Sequence, residues 1–270
     1  MVTTTLIGIL LAATGVLFVN SRDTMQQAIL NVETAQALRA TLDVLQRDLR
    51  LSGACLTTIG SVVALSGTNA ETTDRVVTRS GLVSANLTCV RTALSAAVPA
   101  GAVTLPVQST SGFGSGMRAY MYNSTSGGGE FFTITQVQSG ALSVQWDSTS
   151  SQDYPQYSGV YAIDERAYAI DTSNPLLPIL TLAVNNGSPQ LFAAGIESFN
   201  VRYTLARNCP ACDVVDLPAD NSEWMLVNQV SVSVTARSRV PGRNGQYYRR
   251  TGQVSLKPRN LLPGASVLGS

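Results

Sequence analysis

The stretch that decides how this chain is read is LDVLQRDLRLSGAC, Leu42 to Cys55. Apolar and charged residues alternate in it at helical spacing, and the pattern then gives way to Ser52-Gly53 and a cysteine. Working back, Ile29, Val32, Leu38, Leu42, Leu45 and Leu49 recur at intervals of three, four or six, which places them along a helix stripe. Further back, Met1 to Asn20 (MVTTTLIGILLAATGVLFVN) carries no charged side chain, the first being Arg22. Twenty helical residues rise about 30 Å, close to the hydrocarbon thickness of a bilayer. The whole reads as one helix of roughly 50 residues, about 75 Å long. Residues 1–20 are its predicted transmembrane part and 21–54 an amphipathic stem. No basic residues precede the apolar run and no break follows it, which favours a retained anchor over a cleaved signal peptide. Helices this long point to coiled coils, membrane spans or assemblies.

Beyond Cys55 the period changes from helical to two, the mark of strands. GAVTLPV, MRAYMY, EFFTITQV and ALSVQW are short strand-like runs separated by STSGFGSG, NSTSGGG and QSG. They suggest a β-rich insertion at about residues 95–150 within a β-rich head spanning 55–262. Further strands are read in GVYAIDERAYAID and LPILTLAV, and mostly antiparallel pairing is expected because long crossovers are not evident. The fold class predicted is α+β: a long N-terminal helix packed on an antiparallel sheet, with that insertion.

Composition narrows the chemistry. Charged residues are only 13% of the chain and balance to +1, so no nucleic-acid partner is expected. Histidine is absent, which excludes a Ser-His-Asp triad, a Cys-His pair and histidine metal ligation. Asp164-Glu165-Arg166 and Asp171 do not make a paired-carboxylate site, since neighbouring strand residues face opposite sides; "DER" reads as a turn or a strand edge. No catalytic residue and no cofactor is assigned. Gly127–Gly129 lacks the Lys-Ser/Thr of a phosphate loop and reads as a hairpin turn.

Cys209-Pro-Ala-Cys212 is the sharpest local motif. No βαβ pattern surrounds it, so a short structural disulfide is favoured over a redox site, and a zinc site would need all four cysteines together. Cys55 and Cys89 would then pair, although four cysteines allow three connectivities. Asp213, Asp216, Asp220 and Glu223 crowd the loop that follows; hard oxygens at this density make them a weak calcium candidate, and a solvated acidic loop is the simpler reading. Arg237, Arg239, Arg243, Arg249 and Arg250 read as a solvent-facing basic strand region.

Several segments resemble the PilW-like minor pilins and the related minor pseudopilins of type II secretion. MVTTTLIGILLAATGVLF is similar to their hydrophobic stem and LQRDLRLSGAC to its end. LFAAGIESFNVRYTL, EWMLVNQVSVSVTARSRV and YYRRTGQVSLKPRN resemble their late strands. The likeness covers both ends of the chain, about half of it, and not the middle. The family's basic leader, processing site and first-turn glutamate are not in the sequence, so a start upstream of Met1 is expected. The resemblance implies a non-catalytic subunit that primes a type IV pilus or sits at its tip. Its partners would be the major pilin and other minor pilins, a tip adhesin, the inner-membrane assembly platform and a prepilin peptidase. It would be a single-pass protein of a bacterial inner membrane before assembly, with its head in the periplasm, and would lie at the cell surface afterwards. The assembly helix would use Leu6, Ile9, Leu10, Leu17, Ile29 and Val32, with Arg47 and Asp48 pairing with neighbours. A type II secretion pseudopilin and a membrane-anchored periplasmic binding or redox domain are the alternatives.

Overall fold

A computed structural model of the chain describes residues 2–56, 62–70, 73–123, 125–148, 150–242 and 245–258; in the N-terminal helix the side chains of 2–13, 16, 19, 20 and 23 lie outside that description. Helix α1 spans Val2–Leu51 without interruption, 50 residues. Its second half packs. Thr34, Leu38, Thr41, Leu45, Asp48 and Ser52 are buried and alternate in steps of four and three, one face of a helix. Every described residue from Thr14 to Ile29 is exposed. The helix stops where Gly53, at φ 80°, turns the backbone left-handed, a conformation that costs glycine little. The Gly53 amide then donates to the Arg79 carbonyl at 2.8 Å, which hands the chain to the sheet.

Ten strands form one antiparallel sheet: β1 (Leu65–Thr68), β2 (Arg75–Gly81), β3 (Arg91–Ala93), β4 (Thr104–Pro106), β5 (Arg118–Asn123), β6 (Gly128–Gln138), β7 (Ala141–Trp146), β8 (Gly159–Asp171), β9 (Ile179–Val184) and β10 (Gln190–Ala194). A second sheet runs β12-β11-β13-β14, from β11 (Ile196–Leu205), β12 (Val214–Val215), β13 (Val227–Arg237) and β14 (Arg249–Leu256), with a short helix α2 (Asn221–Met225) before β13.

The large sheet closes on itself at one end. β8 pairs with both β3 and β5, and β5, β6, β7 and β4 pair in turn. Just past the last residues of β3 and β4, Leu94 bridges Val107, while Ser95 donates to Pro106 and Gln108 donates to Ala93 at 3.0 and 2.9 Å. Six strands thus make a small barrel, filled by Leu94, Leu105, Met121, Phe132, Ile134, Leu142, Tyr154 and Val160. A second core lies between α1, the small sheet and the near end of the large one, and a smaller third gathers Leu56, Val62, Tyr120 and Ile163. VNQVSVSVTAR alternates Val with polar residues, so Val230, Val232 and Val234 all turn under the helix with Phe199, Val201 and Tyr203. Burying each such side chain stabilises by about 1.5–3 kcal/mol. Helix and sheet meet closely at Gly252, where a Cβ would lie 2.7 Å from Leu42 Cδ1.

One expectation is corrected. The described residues are mostly β, with two sheets and one helix of seven residues or more among them, rather than an α+β fold of a long helix on a single sheet. The helical period dominates the sequence only before Cys55, and the Val-, Thr- and Ser-rich remainder spends its length on strands. The segment at 95–150 supplies β4 to β7, four of the six barrel strands, and shares β8 with the rest of its sheet. Among the described residues no helix is long and apolar enough to cross a membrane; most of the transmembrane part expected at 1–20 lies outside the described side chains.

Candidate functional site

The candidate functional residues are those of α1 and of the junction where it meets the sheets. Asp48 sits on the buried stripe of α1, its side chain 4% exposed. One carboxylate oxygen accepts from Tyr168 Oη at 2.5 Å and from Arg166 Nη1 at 3.0 Å. The other accepts from Arg47 Nε at 3.1 Å. Arg166 also pairs with Asp164 at 3.1 Å. Burial alone lowers the Arg166 pKa, but Asp164 and Asp48 outweigh it and raise it. Burial, with the Asp48 carboxylate second, pushes the Tyr168 phenol well above its usual range.

"DER" is neither a turn nor an edge. It lies inside β8, where Asp164, Glu165 and Arg166 face Ser80, Arg79 and Thr78 of β2. The alternation of the strand sends Asp164 and Arg166 towards the helix and Glu165 the other way. There Glu165 accepts from Arg79 Nε at 2.6 Å and lies 3.6 Å from Arg118, which forms a two-pronged pair with Asp147. The Arg79 and Arg118 guanidiniums stand 5.1 and 5.2 Å from the centre of the Phe131 ring. One charge cluster thus holds the helix end to β8, and a second, on the other face of β8, joins that strand to β2 and β5. Single-residue reading could not find this network, because its members lie up to 120 residues apart.

The cysteines pair as Cys55–Cys89 and Cys209–Cys212. The first ties the turn after α1 to the segment before β3, and the Gly81 amide donates to Ala54 at 2.7 Å beside it. The second closes the exposed tip between β11 and β12. The acidic loop serves local structure. Asp220 is the N-cap of α2 and accepts from the Glu223 amide, while Glu223 accepts from the Ala219 amide at 2.8 Å. This is close to a capping box, and the D-x-x-E spacing of Asp220 and Glu223 was its available signal. Arg207 bonds Asp213 at 2.6 Å and Glu223 at 2.5 Å, and Asp216 pairs with Arg202 at 3.0 Å. Side-chain hydrogen bonds from Asn208 and Arg207 hold the Asp213 carboxyl below its usual range. Among the described residues no group of three or more metal-ligating side chains could hold an ion.

Of the assembly-helix residues, Leu6, Ile9 and Leu10 lie outside the described side chains. Leu17, Ile29 and Val32 are exposed, as are Phe18 at 71% and Met25 at 66%. Arg47 is exposed on the helix flank, whereas Asp48 is spent on the head and is not free for a neighbour. In the basic C-terminal region Glu197 pairs with Arg249 and Arg237, and Arg237 stacks on Tyr247; Arg243 lies outside the described residues. Protein-family models and curated proteins were both compared with the chain, and neither comparison yields a match.

Proposed function

We propose that this chain is a non-catalytic assembly subunit, a PilW-like minor pilin that primes a type IV pilus or sits at its tip. One observation carries the reading: α1 bears an exposed apolar row in its first half and a buried stripe in its second. At about 100° per residue, Phe18, Met25, Ile29 and Val32 point on average roughly opposite to the stripe from Thr34 to Ser52 that grips the head. A helix with this arrangement can bury its free apolar row against other helices and keep its own head on the outside. Exposed apolar rows of this kind mark interaction surfaces. The partners would be the helices of the major pilin and of other minor pilins. Before assembly the same segment would be held at the inner membrane, with the head in the periplasm, where both disulfides could form.

The test is a Met25→Glu/Ile29→Asp variant, compared with wild type for incorporation into sheared surface filaments. Both positions are exposed, so head stability should stay within about 0.5 kcal/mol of wild type. Incorporation should be lost. A variant that enters filaments at the wild-type level refutes the proposal.

A further inference from the structure

The face of the small sheet turned away from α1 holds a cleft that the assembly reading does not use. In β11 and β13 the residues Phe199, Val201, Tyr203, Val230, Val232 and Val234 are buried under the helix, so the alternate residues Asn200, Arg202, Ser231 and Ser233 project from the other face. The register sets them in rows. Asn200 lies opposite Ser233 and Ser233 opposite Gln253, while Arg202 lies opposite Ser231. Asn69, Ala70 and Asp74 wall the floor on one side. The Asp74 amide donates to the Phe199 carbonyl at 2.9 Å, and its carboxylate accepts from the amides of Val201 and Ala70 at 2.7 and 2.9 Å. The half-open cleft offers about 680 Å³, within the range of small-molecule sites at about 300–1,000 Å³.

The lining selects among ligand classes. Among the described lining residues the one cation, Arg202, is paired with Asp216 at 3.0 Å, and Asp74 adds a second carboxylate, so they offer an anion no unpaired cation. Among the described lining residues a metal ion finds only two carboxylates, and both Asp74 oxygens already accept backbone amides. A peptide cannot add to the floor as a strand, because β11 is flanked by β13 on one side and by β12 and Thr73–Asp74 on the other, while β13 lies between β11 and β14. Among the described lining residues only Ala70 and Val201 are apolar, and Val201 is buried, so a peptide's apolar side chains would find no pocket among them. What remains is a set of amides and hydroxyls. Among the described residues, Asn69, Ser233 and Gln253 have no side-chain hydrogen-bond partner of their own. Spaced donors and acceptors with near-balanced charge suit a ligand dense in uncharged hydroxyls. We propose that this cleft binds a neutral saccharide, through Asn69, Asn200, Ser233 and Gln253.

The test is saturation-transfer NMR on the full chain in a sugar-free detergent. The probes are glucose, galactose, mannose and N-acetylglucosamine, with sialic acid, inorganic phosphate and a Gly-Ser peptide alongside. At least one neutral sugar should give a transfer signal. Ser233→Val and Gln253→Leu should each weaken its binding about tenfold, the loss of one hydrogen bond, while Ser233→Thr keeps the hydroxyl and the binding. No signal from any neutral sugar overturns the proposal. So does a signal that is equal in all variants, or a preference for sialic acid, phosphate or the peptide.

Discussion

Replacing Asp48 with Ala tests whether the helix is fixed to the head by the charge cluster at its end. The substitution leaves the Tyr168 hydroxyl without its 2.5 Å acceptor and removes the closest carboxylate from Arg166, whose side chain is 30% exposed. Breaking a buried pair by removing one partner costs about 3–5 kcal/mol. In a chain of 270 residues that is a fall in Tm of roughly 10 °C. Tyr168→Phe removes one hydrogen bond to a charged group and should cost about 1.5–3 kcal/mol. The two substitutions share an oxygen, so their effects should fall short of additivity. Urea unfolding of the full chain, followed by tryptophan fluorescence, gives each value from the midpoint at constant slope. Trp224 is buried beside Tyr203 under the helix and reports on that core. A third variant sharpens the test. Asp48→Leu with Arg166→Met and Tyr168→Phe replaces the whole cluster by apolar groups and should recover much of the loss, because desolvation of the charges is then avoided. An Asp48→Ala protein within about 0.5 kcal/mol of wild type refutes the reasoning.

Gly252→Ala should be close to neutral, since the Leu42 and Leu38 methyls it meets can shift, whereas Gly252→Val should overpack the junction and cost about 1–3 kcal/mol by urea unfolding. The two disulfides should differ in weight: Cys55–Cys89 spans 34 residues and Cys209–Cys212 only 3, which corresponds to about 4 and about 1.6 kcal/mol of loop entropy, measurable by Cys→Ser pairs. Stability should fall in alkali. Tyr154, Tyr168 and Tyr203 all have phenol pKa values raised by burial, so their contribution is complete below the unfolded value of about 10 and is lost as pH rises past it. Glu130 works on the acid side: burial opposes ionisation, but hydrogen bonds from Ser151, Tyr154 and Ser150 prevail and lower its pKa. Its contribution is present above the unfolded value of about 4.3 and lost as pH falls below it, so unfolding curves at pH 3, 7 and 11 check both limbs.

The parts of the fold legible in the sequence are those whose signal is local. The Leu38–Leu45–Leu49 stripe declares α1, and VSVSV declares β13, because side-chain periodicity reports directly on which face is buried. The Cys55–Cys89 pairing followed once the short loop at Cys209 was closed. The barrel was not legible. It closes through three-residue strands, β3 and β4, too short to show a period, and through a bridge between Leu94 and Val107. Nor was the use of Asp48, whose charge suggested an exposed residue; only its place on the Thr41–Leu45–Ser52 stripe betrayed that it points inward. The polar cleft depends on the register of β11, β13 and β14, and register is set by pairing between distant segments.

The thirteen residues of β8 run about 43 Å if fully extended. Their first half is a stave of the barrel, and their second half carries Arg166 and Tyr168 to Asp48 of α1. A pull applied to the barrel therefore reaches the helix along one covalent strand, with hydrogen bonds to β2 and β9 loaded in shear rather than peeled one at a time. Barrel and helix behave as one lever under tension, and the first element to yield should be the junction at Asp48 rather than either core.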